Sequence, residues 1–586
     1  MSSDTTQTPA TSAPRATTTA REAAAALDRC ADVALSRLTG GLSPISLGLA
    51  WADWAWHLAA APGTMSRLAA QAQTAALEAL AAAPEAPLRD PRFKAEEWKQ
   101  APFAHWARLH EATQAWWRDA TALPGMTPHH HDMVDLFARQ ILDMVAPSNW
   151  LPTNPQALAR TAATGGANLV KGATQAADDW RQSKGLPALN RDWPAYRPGH
   201  EVAVTPGDVV HRNDLVELIQ YRPATAKVQR EPVFIVPSWI MKYYILDLSP
   251  QNSMVRYLVE QGHTVYIVSW RNPDERDALL DMTDYLQLGI LDPLAAVGRM
   301  TGGVPVHTAG YCLGGTLLAI AAAAVSRPRG CTGSQDLPPL ASVTLMAAQV
   351  DFREPGELSI LTDEAQVRQL ESMMAERGFL SGQQMAGSFQ FLHARDLIWT
   401  ARMRSYLLGE PDAPNDLMAW NADLTRMPAT MHAEYLRTLY LKNDLADGRY
   451  LVDGDPVSVH DVKVPFFVVG TAKDHVSPWH SVYKIHQLAD GDITFVLTSG
   501  GHNAGIISEP GHANRRYQML TRHTGEHWMS PQAWQAAAPT TEGSWWTAWH
   551  EWLVAHGEGE VRARRVSPSA SLGEAPGEYV HICYED

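Results

Sequence analysis

The sequence has few of the features that mark whole classes of protein. Its four cysteines, Cys30, Cys312, Cys331 and Cys583, are too few and too scattered for a disulfide scaffold or a four-thiolate zinc site. Its longest unbroken apolar run, residues 317–325, has nine residues, whereas a membrane-spanning helix needs about 20. The first 20 residues are polar and lack the apolar stretch of a signal peptide. We therefore expect a protein of the reducing cytoplasm that is soluble or attached only to a surface.

Basic residues and cofactor motifs are also scarce. The 48 Lys and Arg against 63 Asp and Glu give a net charge of −15. This argues against general nucleic-acid binding, because such binding needs a basic face to neutralise phosphates. The chain has no Walker A loop, no G-x-G-x-x-G fingerprint and no H-E-x-x-H motif. His129, His130 and His131 cannot all face one point, and we interpret them as a solvated helix start. We expect neither a cofactor nor a metal.

Composition divides the chain into two large parts. Residues 1–20 have the polar composition of a disordered tail. Residues 21–200 are rich in Ala, Leu, Gln, Glu and Trp and nearly free of β-branched runs, which predicts an N-terminal α-helical domain. Beyond residue 200, short apolar runs alternate with helical stretches. The runs are residues 232–237, 264–270, 304–309, 342–348, 464–470 and 493–499. This alternation predicts an α/β domain whose mostly parallel central sheet is covered on both faces.

Two segments depart from this alternation. Between about residues 352 and 445 there is no clear strand pattern, and the segment is rich in Met, Leu, Arg and Trp. A helical insertion of this size in an α/β domain is typical of a cap over the site. The catalytic domain is therefore expected to span residues 201–556. Residues 557–586 are polar and are predicted to form an irregular C-terminal tail.

The most informative motif is the segment VPVHTA-GYCLGG-TLLAIAAAAV, which runs from an apolar strand into an Ala-rich helix. It matches the nucleophile elbow G-x-nucleophile-x-G of α/β-hydrolase folds, with Cys312 in place of serine. Glycines two residues before and after the nucleophile let neighbouring backbone approach without Cβ clashes. The helix N-terminus behind Cys312 favours a thiolate and a developing oxyanion. No G-x-S-x-G occurs elsewhere in the chain, so no serine competes for this role.

An acid and a histidine should follow such a nucleophile in chain order. Asp474 comes just after the apolar run at 464–470, and His502 just after the last run. Both loops are expected at the carboxyl ends of strands, where such folds place their sites. His502 would take the proton from Cys312, and Asp474 would orient His502. His475 remains a rival base and Asp351 a rival acid.

Backbone amides are expected to stabilise the oxyanion. The first donor is the Leu313 N–H, directly after the nucleophile. The second normally comes from the loop after an early strand, and here the candidates are the N–H groups of Trp239 and Ile240. The sequence does not decide between these two.

In these residues the chain resembles the polyhydroxyalkanoate synthases, which polymerise (R)-3-hydroxyacyl-CoA. The resemblance covers about residues 90–555, and the motifs that carry it follow in order. They are DPRFKAEEW, SNWLPTNPQALARTAATGGANLVKG, WIMKYYILDLSPQNSMVRYLVEQGHTVYIVSWRNPD, GYCLGGTLLA, DFREPGELSI, WNADLTRMPATMHAEYLRTLYLKNDL, KDHVSPW and SGGHNAGIISEPG. The length and the long N-terminal part resemble those of the single-subunit synthases.

The resemblance implies an α/β-hydrolase fold with a helical cap. It also implies Cys312 as the acylated nucleophile, His502 as base and Asp474 as acid, in a homodimer attached to polyester granules. 3-Hydroxybutyryl-CoA is the expected substrate, and granule-coat proteins are expected partners. The incoming 3-hydroxyl could be deprotonated by either His502 or Asp474. The chain departs from the family's more frequent residues at Ser238, Met241 and Asn503, which bears on substrate preference.

Two other functions remain open. A cysteine-dependent α/β hydrolase, such as a thioesterase or an intracellular polyester depolymerase, would use the same three residues and release free acid. A granule-surface scaffold with an inactive site would need none of them. The N-terminal domain and the capped insertion argue against the first, and the complete set of Cys312, Asp474 and His502 argues against the second.

Overall fold

Seven α-helices lie in the N-terminal part of the computed structural model, which describes residues 15–83, 86–182, 184, 186, 196–333, 336–411 and 413–584. The helices are α1 (Arg15–Thr39), α2 (Pro44–Ala59), α3 (Pro62–Ala81), α4 (Phe103–Thr121), α5 (Pro128–Met144), α6 (Pro155–Thr164) and α7 (Ala167–Gln182). Four of them begin at proline, which has no N–H to leave unpaired in the first turn. The predicted disordered tail is too long, because α1 begins at Arg15. Residues 1–14 lie outside the described residues.

An 11-stranded mixed sheet forms the centre of the second part. The strands of this part of the chain are β1 (Gly207–Arg212), β2 (Val216–Tyr221), β3 (Lys227–Gln229), β4 (Val233–Val236), β5 (Val265–Trp270), β6 (Val306–Tyr311), β7 (Leu340–Met346), β8 (Phe379–Leu380), β9 (Met427–Pro428), β10 (Leu451–Val452), β11 (Asp455–Pro456), β12 (Phe466–Thr471), β13 (Ile493–Thr498), β14 (Arg516–Arg522), β15 (Thr540–Glu542), β16 (Glu560–Arg562) and β17 (Gly573–Glu574). The order in the large sheet is β15-β14-β13-β12-β7-β6-β4-β5-β2-β1-β17. The six predicted apolar runs are its parallel strands β13, β12, β7, β6, β4 and β5.

Helices cover both faces of this sheet, as the apolar strands require. The α-helices of this part of the chain are α8 (Met254–Glu260), α9 (Met282–Leu286), α10 (Asp292–Thr301), α11 (Leu313–Ser326), α12 (Glu364–Arg377), α13 (Gly382–Leu392), α14 (Asp416–Ala422), α15 (Ala429–Tyr435), α16 (Trp479–Tyr483), α17 (Ile485–Leu488), α18 (Pro531–Ala537) and α19 (Trp545–Ala555). Along β4, Phe234 and Val236 join one buried cluster, and Val233 and Ile235 join the other. Alternate residues of a strand point to opposite faces, so each face of the sheet has its own core.

The insertion between β7 and β12 is mainly helical, as the sequence predicted, and includes α12–α15. Among its described residues, the departures from that prediction are two pairs of two-residue strands, β8 with β9 and β10 with β11. Over the same described residues, no helix combines the length and apolar character that crossing a bilayer requires.

The C-terminal segment differs from its prediction. The sequence predicted an irregular tail from residue 557, but β16 pairs with β3 and β17 pairs with β1. The Glu217 carboxylate on β2 accepts hydrogen bonds of 2.9 Å from the backbone N–H groups of Glu578 and Tyr579. Val580 is buried in the core beside the sheet. The segment is therefore packed against the sheet, because its backbone supplies donors to a buried carboxylate.

Candidate active site

Cys312 occupies the sharp turn between β6 and α11. Its backbone has φ 54° and ψ −127°, a conformation that non-glycine residues rarely adopt. Such strained conformations cluster at functional sites. Its N–H donates to the carbonyl of Met346 on the neighbouring strand β7, at 2.9 Å. The turn predicted from the sequence is present, and the half-buried thiol lies at the carboxyl edge of the parallel strands.

The glycines around Cys312 permit this turn by allowing close backbone contacts. A Cβ added to Gly310 would lie 2.4 Å from the Gly315 Cα, and one added to Gly315 would lie 2.5 Å from the Ala348 Cβ. A Cβ at Gly314 would lie 2.3 Å from the carbonyl oxygens of both Val236 and Pro237. These separations are shorter than real Cβ atoms tolerate. The glycines therefore bring α11 onto β6, β7 and the loop after β4.

Asp474 and His502 lie together on the loops after β12 and β13. The His502 Nδ1 is 2.9 Å from the Asp474 Oδ2. Three further donors hold the carboxylate: the Thr471 hydroxyl at 2.7 Å and the backbone N–H groups of Val476 and Ser477 at 2.9 and 2.8 Å. The Asp474 side chain is fully buried. The imidazole also interacts electrostatically with Cys312, so the three predicted residues lie at one edge of the sheet.

Charge interactions among Cys312, Asp474 and His502 shift the pKa values of the histidine and the carboxyl group. Burial opposes the protonated imidazole, but charge interactions with Cys312 and with the Asp474 carboxylate outweigh it and raise the pKa of His502 well above its usual 6.5. Burial likewise opposes the ionised Asp474, yet His502 and the surrounding donors lower the pKa of that carboxyl below its usual value. The arrangement stabilises an imidazolium beside an ionised carboxylate.

The two rivals from the sequence lie elsewhere. Asp351 is buried beside Asn443 and Lys484, with its Oδ1 3.8 Å from the Lys484 Nζ. The side chain of His475 is 60% exposed, and its Nδ1 is 3.8 Å from Glu357. Each therefore has its own partners, and neither is hydrogen-bonded to His502.

The expected oxyanion donors surround the nucleophile turn. Leu313 is the first residue of α11, and amides of a first helical turn have no acceptor within the helix. The loop after β4 is fixed by the Trp270 Nε1, which donates to the Pro237 carbonyl at 2.9 Å. The Ile240 N–H has a long contact of 3.4 Å to the Ser238 Oγ. The described contacts assign no partner to the Trp239 N–H, and the choice between Trp239 and Ile240 remains open.

The cap contributes residues that the sequence analysis did not identify. The Thr425 hydroxyl donates to the backbone carbonyls of Trp239 and Ile240, and Met241 forms an antiparallel bridge with Leu424. Burial, and to a smaller extent charges that include Cys312, raise the pKa of Tyr435 and Tyr440. No motif marks these residues, because their role depends on how the cap folds over the sheet.

Among the residues that the structure describes, no three His, Cys, Asp or Glu side chains come together as metal ligands would. The three consecutive histidines face different carboxylates: His129 contacts Asp363, His130 contacts Asp53 and His131 contacts Asp132. Their geometry agrees with the interpretation that they do not share one ligand.

Comparisons with known proteins identify the family. A profile described as the N-terminus of poly-beta-hydroxybutyrate polymerase matches residues 89–258, and a second, described as the N-terminal part of the same polymerase, matches residues 22–64. The poly(3-hydroxyalkanoate) polymerase of Methylorubrum extorquens is 38% identical over 501 residues, covering 85% of this chain and 81% of that protein. This chain belongs to the poly(3-hydroxyalkanoate) polymerase family. It is therefore an acyltransferase of the kind that the sequence resemblance predicted.

Two further matches agree with this assignment. The poly(3-hydroxyalkanoate) polymerase subunit of Cupriavidus necator is 34% identical over 511 residues, covering 84% of this chain and 83% of that protein. The alpha/beta hydrolase fold profile matches residues 231–508, in agreement with the mixed sheet. Among solved structures, a soluble variant of monoglyceride lipase from Saccharomyces cerevisiae covers 62% of this chain and 100% of its own, at 11% identity and a TM-score of 0.34.

Proposed function

We propose that this polymerase joins (R)-3-hydroxyacyl units from their CoA thioesters, with 3-hydroxybutyryl-CoA as the main substrate, through an acyl intermediate on Cys312. The observation that carries the proposal is the Asp474–His502 hydrogen bond of 2.9 Å beside the Cys312 thiol. Because Nδ1 of His502 is bound to Asp474, Nε2 is left to accept the thiol proton. No cofactor is needed in this scheme besides the CoA of the substrate.

Acylation then follows in balanced steps. The thiolate of Cys312 attacks the thioester carbonyl, and the negative charge that develops on oxygen is stabilised by the Leu313 N–H and by a second amide of the Trp239–Ile240 loop. The bond from the carbonyl carbon to the CoA sulfur breaks as the carbonyl re-forms. CoA leaves with the proton held by His502. The acyl group remains on Cys312 as a thioester, because exchange between two thioesters is nearly balanced in energy.

Elongation needs deprotonation of a 3-hydroxyl group, and we assign this to His502. Asp474 accepts four hydrogen bonds, is fully buried and has a lowered pKa, so it is a weak base. His502 accepts the hydroxyl proton, the alkoxide attacks the acyl-Cys312 carbonyl, and the thiolate is released.

The cap residue Thr425, bonded to the loop after β4, supports a closed site that excludes water, and the cap would open for substrate.

The proposal is tested with purified protein and (R)-3-hydroxybutyryl-CoA, following CoA release and the form of the product together. An insoluble polyester, with release abolished in Cys312→Ala, is the expected result. Release with only free 3-hydroxybutyrate would make the chain a hydrolase. No release from this substrate or from a longer (R)-3-hydroxyacyl-CoA would overturn the catalytic proposal and favour a scaffold.

We also propose a homodimer that acts at the surface of polyester granules, with granule-coat proteins as partners. The exposed apolar side chains of the N-terminal helices support a surface role: Leu38 is 84% and Trp56 76% exposed. Large exposed apolar patches are typical of interaction surfaces. Granule sedimentation with Trp56→Gln is the test, and unchanged co-sedimentation would argue against a role of this side chain in granule binding.

A further inference from the structure

A tyrosine beside the nucleophile contacts the residue beside the base. Tyr311 is the last residue of β6 and directly precedes Cys312. Its hydroxyl donates to the Asn503 Oδ1 at 2.6 Å, and its ring centroid lies 5.6 Å from that of His502, tilted by 36°. Asn503 directly follows His502. The bond therefore joins the two chain segments, 192 residues apart, that carry the proposed nucleophile and base.

The turn that carries His502 is itself compact. The Asn503 carbonyl accepts from the N–H groups of Ile506 and Ile507 at 3.1 and 2.9 Å, and the Gly505 N–H donates to the Gly501 carbonyl at 2.7 Å. A Cβ at Gly505 would lie 2.6 Å from the Thr471 side chain. These contacts hold Asn503 and the adjacent His502 in one compact turn, so a restraint applied at Asn503 also restrains His502.

Two tryptophans of α19 hold the same turn. The Trp545 Nε1 donates to the Gly505 carbonyl at 3.1 Å, and the Trp546 Nε1 donates to the Ile506 carbonyl at 2.9 Å. These bonds fix the far part of the turn against the core. They do not connect it to the nucleophile, and within the described contacts the Tyr311 hydroxyl makes that connection.

We propose that Tyr311 and Asn503 form a positioning pair, whose hydrogen bond sets the distance between the His502 imidazole and the Cys312 thiol. Asp474 fixes one nitrogen of the imidazole, and the pair restrains the backbone from which the imidazole extends. Proton transfer needs donor and acceptor within about 3 Å, and misplacement by about 1 Å costs on the order of 100-fold in rate. Tyr311 is 1% exposed. Burial, with smaller effects of Cys312 and Asp474, raises its pKa well above 10, so its hydroxyl remains a donor through the working pH range.

This inference rests on the proposed role of His502 as base, and its test does not depend on polymer formation. The rate of iodoacetamide alkylation at Cys312, followed by mass spectrometry of the Cys312 peptide, is measured against pH. The proteins are the unmodified chain, His502→Ala, Tyr311→Phe, Asn503→Leu, the Tyr311→Phe/Asn503→Leu double variant and the control Tyr266→Phe. Tyr266 is also a buried tyrosine, on β5, and the described contacts give it no bond to Cys312, Asp474 or His502.

We expect His502→Ala to move the alkylation midpoint to higher pH, because the thiol loses its proton acceptor. Tyr311→Phe and Asn503→Leu should move it in the same direction and slow alkylation at neutral pH by about tenfold. The double variant should resemble the single variants, because both break one bond. Tyr266→Phe should match the unmodified chain.

Other outcomes separate the two proposals. If His502→Ala shifts the profile and the Tyr311 and Asn503 variants do not, the positioning pair is rejected while the base assignment stands. If the effects of the two single variants add in the double variant, they act separately and the pair is again rejected. If His502→Ala leaves the profile unchanged, the base assignment fails, and the pair fails with it.

Discussion

The two parts of the molecule bury their side chains in different ways. The α/β part has two continuous apolar cores, one on each face of the sheet. The N-terminal helices have small clusters, such as the one around Phe93, Trp98 and Ala107, and a buried ionic network. In the catalytic part, close contacts between backbone segments set the geometry of the nucleophile turn. In the N-terminal part, ion pairs between buried side chains contribute to stability. Equivalent substitutions should therefore have different effects in the two parts.

The largest effect is expected for Gly314→Ala in the nucleophile turn. The added methyl would lie 2.3 Å from two backbone carbonyl oxygens, so α11 or the loop after β4 must shift. We expect a loss of more than about 100-fold in CoA release, because shifts of about 1 Å at a reacting centre have this effect. Steady-state kinetics measure it, with circular dichroism as the folding control. Near-normal activity would mean that the turn is less tightly packed than described.

Arg92→Leu tests the stability of the N-terminal part. Arg92 is buried between Asp90 and Asp143, at 2.7 and 2.8 Å, and its loss removes the cation that is paired with these two buried carboxylates. We expect a loss of about 3–5 kcal/mol in the free energy of unfolding of these helices, measured by urea titration. Alkylation of Cys312 in the folded protein should keep its pH profile. The control Arg37→Leu removes an exposed pair with Glu376 and should cost less than about 1 kcal/mol.

Acid should weaken the α/β part through buried neutral histidines. Burial lowers the pKa of His263 and His486 to about 3 and that of His307 to about 4. The unfolded chain binds these protons below about pH 6.5, and the folded chain does not, so stability is present at neutral pH and is lost as pH falls. Each histidine should cost up to about 2 kcal/mol between pH 7 and 5. The Tm at pH 7, 6 and 5 checks this, and a Tm that is constant or rises toward pH 5 would contradict it.

The smallest effect is expected for Gly48→Ala, which makes the same substitution in the N-terminal part as Gly314→Ala makes in the catalytic part. Gly48 lies within α2, and a Cβ there would meet nothing within 4 Å. We expect a gain of about 1 kcal/mol, because alanine loses less backbone entropy than glycine in a helix. Thermal unfolding measures this as a higher Tm for the N-terminal transition, with unchanged CoA release. A lower Tm would indicate that this face of α2 is covered in the native protein.

Much of the fold could be predicted because its signals are local. The six parallel strands are continuous apolar runs, and the nucleophile turn is a short motif between a strand and a helix. Strands β1, β2 and β14 were missed because their sequences, GDVVHR, VELIQY and RYQMLTR, mix polar and apolar residues. On β2, Glu217 is buried only because Arg212 and backbone donors of the C-terminal segment pair with it. The sequence pattern does not contain that information.

The candidate site divides in the same way. The sequence alone determined that Cys312 lies at a strand-to-helix turn, and that Asp474 and His502 follow strands in chain order. Only the tertiary structure decided that Asp474 bonds His502 while Asp351 lies beside Lys484, and that Thr425 and Tyr311 contact the site. Local backbone preferences and apolar runs are encoded over a few neighbouring residues. Contacts between distant segments depend on how the sheet, the cap and the loops pack, so they emerge only once the whole chain has folded.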